Sequence, residues 1–209
     1  MRIILIWIAL VAALAIPIAI AANSPLLAWR DPIYIVAGFA GIIAMALLFI
    51  QPLLIGGYLP GLSLSQGRSG HRWIGACLVL AVLIHVGALW ITSPPDVIDD
   101  LTFASPTPFS LWGVIAMWAV FTSALLAVFR RRLRLQPRHW RKGHSFLAVI
   151  IILTTILHAL LIEGTMETIS KIALAILLII ATLKATLDLR IWVNKPNKRP
   201  SARAKDRAK

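Results

Sequence analysis

The stretch His71-Arg72-Trp73-Ile74-Gly75-Ala76-Cys77-Leu78-Val79-Leu80-Ala81-Val82-Leu83-Ile84-His85 sets two histidines fourteen positions apart on an almost wholly apolar segment. A second stretch, His144-Ser145-Phe146-Leu147-Ala148-Val149-Ile150-Ile151-Ile152-Leu153-Thr154-Thr155-Ile156-Leu157-His158, repeats the interval. Fourteen helical residues rise about 21 Å and stop about 40° short of four full turns. Each stretch therefore predicts a helix of membrane-spanning length with both imidazoles on nearly one face, close to its two ends. Two such helices side by side, running in the same direction, give two levels with a facing pair of imidazoles at each: His71 with His144, and His85 with His158.

The rest of the chain fits that reading. Of 209 residues 59% are hydrophobic, with mean hydropathy +0.86, more apolar surface than a soluble domain of this size can bury. Six stretches reach the length of about 20 residues that crosses a bilayer: Ile3–Ala22, Ile33–Ile55, Trp73–Ile91, Leu111–Phe129, Ser145–Ile162 and Ile169–Trp192. Turn signals separate them, namely Gly56-Gly57 with Pro60, Pro94-Pro95, Pro106 with Pro108, Pro137 and Gly164. The predicted fold class is all-α, a polytopic six-helix transmembrane bundle over residues 1–193. A basic tail, 194–209, is expected to be disordered and cytoplasmic.

Charge orients the bundle. The formal net charge is +13, from 21 Lys+Arg against 8 Asp+Glu. Arg68 and Arg72 flank the second connection. Arg130, Arg131, Arg132, Arg134, Arg138, Arg141 and Lys142 crowd the fourth, and the tail is rich in Lys and Arg. The other connections carry Arg30 with Asp31, then Asp96, Asp99 and Asp100, then Glu163, Glu167 and Lys171. The positive-inside rule predicts a multi-pass membrane protein with both termini cytoplasmic, and the expected location is a bacterial inner (plasma) membrane. The basic residues lie in connections between spans, where they meet anionic lipid headgroups, so membrane lipid is the expected partner and nucleic acid is not. The first span, with Arg2 ahead of it and Ala19-Ile20-Ala21 at its end, loosely resembles a cleavable signal. Its apolar run is longer than a usual signal core, and a retained span is expected.

Orientation converts spacing into depth. His71 and His144 fall near the cytoplasmic face, and His85 and His158 near the outer face. An ionisable residue inside a membrane is costly and is a functional hypothesis by default. One metal ion cannot take all four imidazoles, because the levels stand about 21 Å apart and a metal–imidazole bond is about 2 Å. Two ligands per level make an incomplete zinc or copper site, whereas a porphyrin supplies four nitrogens and needs only two axial imidazoles. The expected cofactor is therefore haem b, two per chain, with His71, His85, His144 and His158 as axial ligands between the third and fifth spans. Small and medium apolar neighbours for the porphyrin faces are Gly75, Ala76, Val79 and Val82 on the third span and Leu147, Ile151 and Thr154 on the fifth. Arg72, Arg141 and Lys142 flank the cytoplasmic pair and are candidates for binding haem propionates. Arg30 is the main cation near the outer pair. His139 reads as a solvated residue of the basic loop. Cys77, the one cysteine, reads as packing and excludes disulfide and thiol-pair chemistry. Lys184 and Asp188 read as an intrahelical ion pair.

With His71-Arg72-Trp73-Ile74-Gly75 followed by His85, and Gly143-His144-Ser145-Phe146 followed by His158, the chain resembles the ferric reductase-like transmembrane domain from about Asp31 to Trp192. That superfamily includes ferric reductases, NADPH oxidases and the bacterial haem-binding subunit of the methionine sulfoxide reductase system. The resemblance implies haem ligation by the same four histidines. Size and the segment from Asp31-Pro32 to Gly41 are most similar to the sulfoxide reductase subunit. That subunit often has a basic residue where this chain has His71, and a histidine near Gly38-Phe39-Ala40-Gly41 where this chain has none. The ligand set is thus more similar to the two-haem reductases and oxidases.

The sequence contains no Gly-rich nucleotide loop. The expected function is transmembrane electron transfer, as the membrane component of an oxidoreductase without its own flavin or nicotinamide domain. A flavoprotein reductase or a quinol would be the donor. Ferric iron, oxygen or a periplasmic protein would be the acceptor on the outer side. Asp96, Asp99 and Asp100 read as a generic acidic outer loop. The alternatives are a quinol-oxidising cytochrome b subunit, the haem-binding membrane subunit of a periplasmic reductase, and a non-redox membrane protein whose histidines serve packing or proton relay.

Overall fold

The structure, a computed structural model, describes residues 1–189. The expected basic tail and the end of the sixth span near Trp192 lie outside the described residues. Seven α-helices follow one another: α1 (Arg2–Ala22), α2 (Pro32–Ile55), α3 (Leu64–Thr92), α4 (Pro94–Leu101), α5 (Ser110–Phe129), α6 (Pro137–Leu161) and α7 (Thr168–Asp188). All but α4 are long and apolar enough to cross a membrane. The protein is a six-helix transmembrane bundle, and it contains no strand among the described residues.

Local chemistry sets where the helices begin. Asp31 caps α2, its carboxylate accepting from Ile33 N at 2.7 Å, with Pro32 in the first turn. Ser63 and Gln66 form a reciprocal capping box at the start of α3. Pro137 opens α6 after an extended Gln136. These signals move two boundaries away from those the apolar runs predict. The third span begins nine residues before Trp73, and the fifth begins eight before Ser145. Arg68, Arg72, His139, Arg141 and Lys142 therefore sit on helical turns and not in loops. An apolar-run reading stops at the first charges, whereas a helix continues while long basic side chains reach the interface. The connection read as an acidic loop is likewise the short helix α4, which buries Val97 and leaves Asp96 and Asp99 exposed.

The packing is pairwise. α3 lies along α2, α6 lies along α5, and α7 joins the two pairs by packing on α2 and α6. α7 contributes the stripe Leu174, Leu178, Ala181 and Ala185, with Leu174 and Leu178 fully buried. α1 is peripheral and buries only Pro17 and Ala21. The many exposed Ile, Leu and Val side chains on α1, α3 and α7 form the outward apolar surface of a protein solvated by lipid.

One end of the bundle is basic: it gathers the starts of α3 and α6 and the end of α5. There the α2–α3 turn is fastened to the end of α7. The Tyr58 hydroxyl donates to Asp188 at 2.6 Å, Lys184 pairs with Asp188 at 2.9 Å, and the Lys184 ammonium lies 4.8 Å from the Tyr58 ring centroid. The turn itself depends on Gly57 at φ +68°.

Desolvation, and then the bond to Asp188, push the Tyr58 phenol up to about 12. A folded pKa above the unfolded value of about 10 means that this tie contributes fully below pH 10 and is lost as pH rises through about 12. In a Tyr34→Phe background, tyrosinate absorbance should rise near pH 12, and Asp188→Asn should bring that rise to lower pH. An unchanged midpoint in Asp188→Asn would refute the tie.

Candidate functional site

The four intramembrane histidines come together in two pairs. The ring centroids of His71 and His144 are 6.0 Å apart with planes at 81°, and those of His85 and His158 are 6.3 Å apart at 83°. α3 and α6, which carry them, are not among the closely packed helix pairs; α3 rests on α2, and α6 on α5 and α7. His71 and His144 form the pair at the basic end. His85 and His158 form the pair at the other end, near Asp100 and the start of α7.

Each ring is held from behind through Nδ1. His85 Nδ1 donates to the Ala37 carbonyl at 2.7 Å, and His158 Nδ1 donates to the Phe109 carbonyl at 2.9 Å. A carbonyl only accepts, so these bonds place the proton on Nδ1 and leave the Nε2 lone pair available. At the basic end, His144 Nδ1 meets the Ser123 hydroxyl at 2.9 Å. His71 Nδ1 lies 3.4 Å from the Gln51 carbonyl and also against the Gln51 side-chain amide. Two aromatic rings complete the surroundings. Trp140 stacks on His144 at 4.9 Å, with the Arg130 guanidinium 5.4 Å from the Trp140 ring centroid, and Phe109 packs edge-on to His158 at 5.9 Å.

The two backbone anchors share one device. The carbonyl that takes the imidazole proton stands four residues before a glycine in both cases: Ala37 before Gly41 on α2, and Phe109 before Gly113 on α5. The Gly113 amide donates to the same Phe109 carbonyl at 3.2 Å. A helix carbonyl normally lies under the side chain of residue i+4, and glycine uncovers it for a second donor. A Cβ on Gly41 would lie 3.1 Å from His85 Nδ1, and one on Gly113 would lie 2.7 Å from His158 Nδ1.

The arrangement fits two axially coordinated metal centres. Two metal–nitrogen bonds of about 2 Å and two imidazole radii of about 1.1 Å set ring centroids about 6 Å apart when a metal lies between them. Metal-ligating histidines characteristically donate their other ring nitrogen to a carbonyl or hydroxyl, which fixes tautomer and orientation. Among the described residues no group of three or more His, Cys, Asp or Glu side chains converges as a metal site. Each pair therefore offers two ligands, and the remaining ligands would have to come from the bound group, as a porphyrin's do.

Of the other residues singled out by sequence, Arg72 and Arg141 are exposed and Lys142 is half-buried, Arg72 in the third turn of α3 and the other two in the second turn of α6. His139 is exposed. Gly75 faces the Gln51 amide, and Ile151 and Thr154 are buried, with the Thr154 hydroxyl donating back to the Ile150 carbonyl at 2.7 Å. Arg30 lies over the Tyr34 ring at 4.9 Å. It lines a separate cavity of about 830 Å³ between the end of α1 and the start of α7, which no histidine touches. Gln51, Ser123, Trp140 and Gly113 are not among the site residues expected from sequence, and Arg130 is expected there only as loop charge. Gln51 and Ser123 carried a usable signal, being polar residues inside apolar spans.

Residues 37–155 match the family described as ferric reductase like transmembrane component, and they include His71, His85 and His144. That is more than half of the chain, which belongs to this family. No curated protein and no solved structure matches it. Membership makes the protein a membrane electron-transfer component of a family whose transmembrane domains typically bind haem.

Gly113→Ala should displace His158 from the Phe109 carbonyl and weaken the binding of any group held between His85 and His158. Gly87→Ala, where an added Cβ meets nothing within 4 Å, should leave it intact. Cofactor content of the two purified variants separates the cases, and equal loss in both would argue against the contact.

Proposed function

We propose that this chain is a transmembrane electron conduit that holds two haem b groups. His71 and His144 would be the axial ligands near the cytoplasmic face, and His85 and His158 those near the outer face. The observation that carries this reading is the pair of imidazole separations, 6.0 and 6.3 Å, with all four Nδ1 atoms turned to protein partners. Haem with two axial imidazoles supplies reversible one-electron exchange and has no open coordination position.

The residues of the chain supply the rest. The Ala37 and Phe109 carbonyls hold the ligating tautomer of His85 and His158. α2 braces α3, and α5 and α7 brace α6, the two helices that carry the ligands. Arg72, Arg141 and Lys142, within three residues of His71 or His144 in sequence, would take the propionates. The concentration of Arg and Lys at that end supports a cytoplasmic orientation for it and for both termini, and the proposed location is a bacterial inner membrane. The donor would then act at the cytoplasmic face and be a flavoprotein reductase or a quinol. The acceptor would be ferric iron, oxygen or a periplasmic protein.

Purified full-length protein from haem-sufficient cells should show sharp low-spin b-type bands in the reduced-minus-oxidised spectrum and two haems per chain. His85→Ala should leave one. Absence of the bands would sink the proposal, and a ratio near one in the wild-type chain would reduce it to a single level.

A further inference from the structure

The two histidine levels are held by different kinds of partner. At the acidic end both Nδ1 atoms face backbone carbonyls, Ala37 and Phe109, which accept and cannot donate. At the basic end the Gln51 carbonyl stands off at 3.4 Å from His71 Nδ1, and the closer partners are side chains, the Gln51 amide and the Ser123 hydroxyl, each of which can either donate or accept. Both are about nine-tenths buried on apolar helices, Gln51 at 9% exposure and Ser123 at 8%. A polar side chain is costly there unless it is bonded. Ser123 bonds His144. The Gln51 amide occupies a slot on α3 that Gly75 leaves open, its nitrogen 3.4 Å from where a Cβ on Gly75 would stand.

The Gln51 amide has two arrangements with opposite consequences. In one, its oxygen accepts from Gly75 N at 2.8 Å, while its NH₂ donates to the His71 carbonyl at 3.2 Å and to His71 Nδ1. Nδ1 is then an acceptor, the ring proton sits on Nε2, and that nitrogen cannot bind a metal. Rotation of the amide by half a turn presents its oxygen to an Nδ1 proton and frees Nε2, but it sets that oxygen 3.2 Å from the His71 carbonyl and the NH₂ 2.8 Å from Gly75 N, so this arrangement is held only when the ring proton sits on Nδ1. Ser123 offers His144 the same choice. The metal-free tautomer is thus satisfied at the basic end, whereas at the acidic end only the ligating tautomer is.

We propose that Gln51 and Ser123 are positioning residues that select the tautomer of His71 and His144 and set their strength as ligands. The basic-end centre is then adjustable through side chains, while the acidic-end centre is preset by backbone. The consequences for potential rest on the haem reading above; the tautomer assignment stands on hydrogen bonds alone. An Nδ1 proton held by an acceptor makes the imidazole a stronger donor to the metal, which favours the oxidised iron.

Two measurements on the full-length chain test this. In haem-free protein with ¹⁵N-labelled histidine, assigned by single His→Ala variants, His85 and His158 should carry their proton on Nδ1 and His71 on Nε2. His71 protonated on Nδ1 without haem would overturn the tautomer assignment. In haem-loaded protein, Gln51→Leu and Ser123→Ala should each raise the midpoint potential of one and the same haem and leave the other unmoved. Ser123→Thr, which keeps the hydroxyl, should restore the wild-type value. The shift should persist in a His85→Ala background, which retains only the basic-end site. Unmoved potentials, a shift that vanishes in that background, or no rescue by threonine would overturn the positioning role. A wild-type chain that binds no haem would overturn the haem reading instead, and the tautomer result would still decide the hydrogen-bond assignment.

Discussion

Everything at the centre of this bundle depends on giving each imidazole an N–H partner in a region that water does not supply. A ring with both nitrogens unsatisfied inside a bilayer is expensive. A ring with Nδ1 engaged and Nε2 facing a second ring is aligned for a ligand between them. Four histidines on two helices create that demand, and helices α2 and α5 meet it with carbonyls, a hydroxyl and an amide. The bundle pairs α2 with α3 and α5 with α6, so each ligand helix is braced by the neighbour that bonds its imidazoles. α3 is then left free to face α6 across the histidine pairs.

The acidic-end level shows how small the sequence change behind such a brace can be. Gly41 and Gly113 each uncover a carbonyl one turn earlier in their helix, and one ring settles on each. The basic-end level has no such glycine on the bonding helix: Ile55 stands four residues after Gln51, and His71 stays 3.4 Å from that carbonyl. A side-chain amide fills the gap. Replacement of a backbone acceptor by a side-chain group that can donate or accept distinguishes the two levels chemically, although the spacing of the histidines makes them look equivalent.

The family assignment and the geometry support each other at different resolution. Membership identifies a membrane electron-transfer component. The geometry adds which side chains converge, which nitrogen of each ring is committed to the protein, and which helices carry the acceptors. The aromatic and cationic column Arg130–Trp140–His144 belongs to this second kind of information. Trp140 stands one turn before His144 on α6 and stacks on it at 20°, an overlap set by the side-chain rotamers as well as the spacing.

The sequence by itself determined the class, the number of spans and the pairing of levels. Hydrophobic run length is a direct readout of bilayer thickness, and an interval of fourteen on a helix is a direct readout of depth and face. It misplaced the starts of α3 and α6, because caps and proline, and not the first charged residue, decide where those helices begin. It read α4 as a loop, since eight residues with three aspartates give no apolar run. Only the tertiary structure decided what lies behind the imidazoles. Gln51 and His71 are twenty residues apart, Ser123 and His144 twenty-one, and the backbone anchors nearly fifty. No periodicity links those positions. The contacts arise because neighbouring helices pack at fixed distance and register, and that register is a property of the assembled bundle.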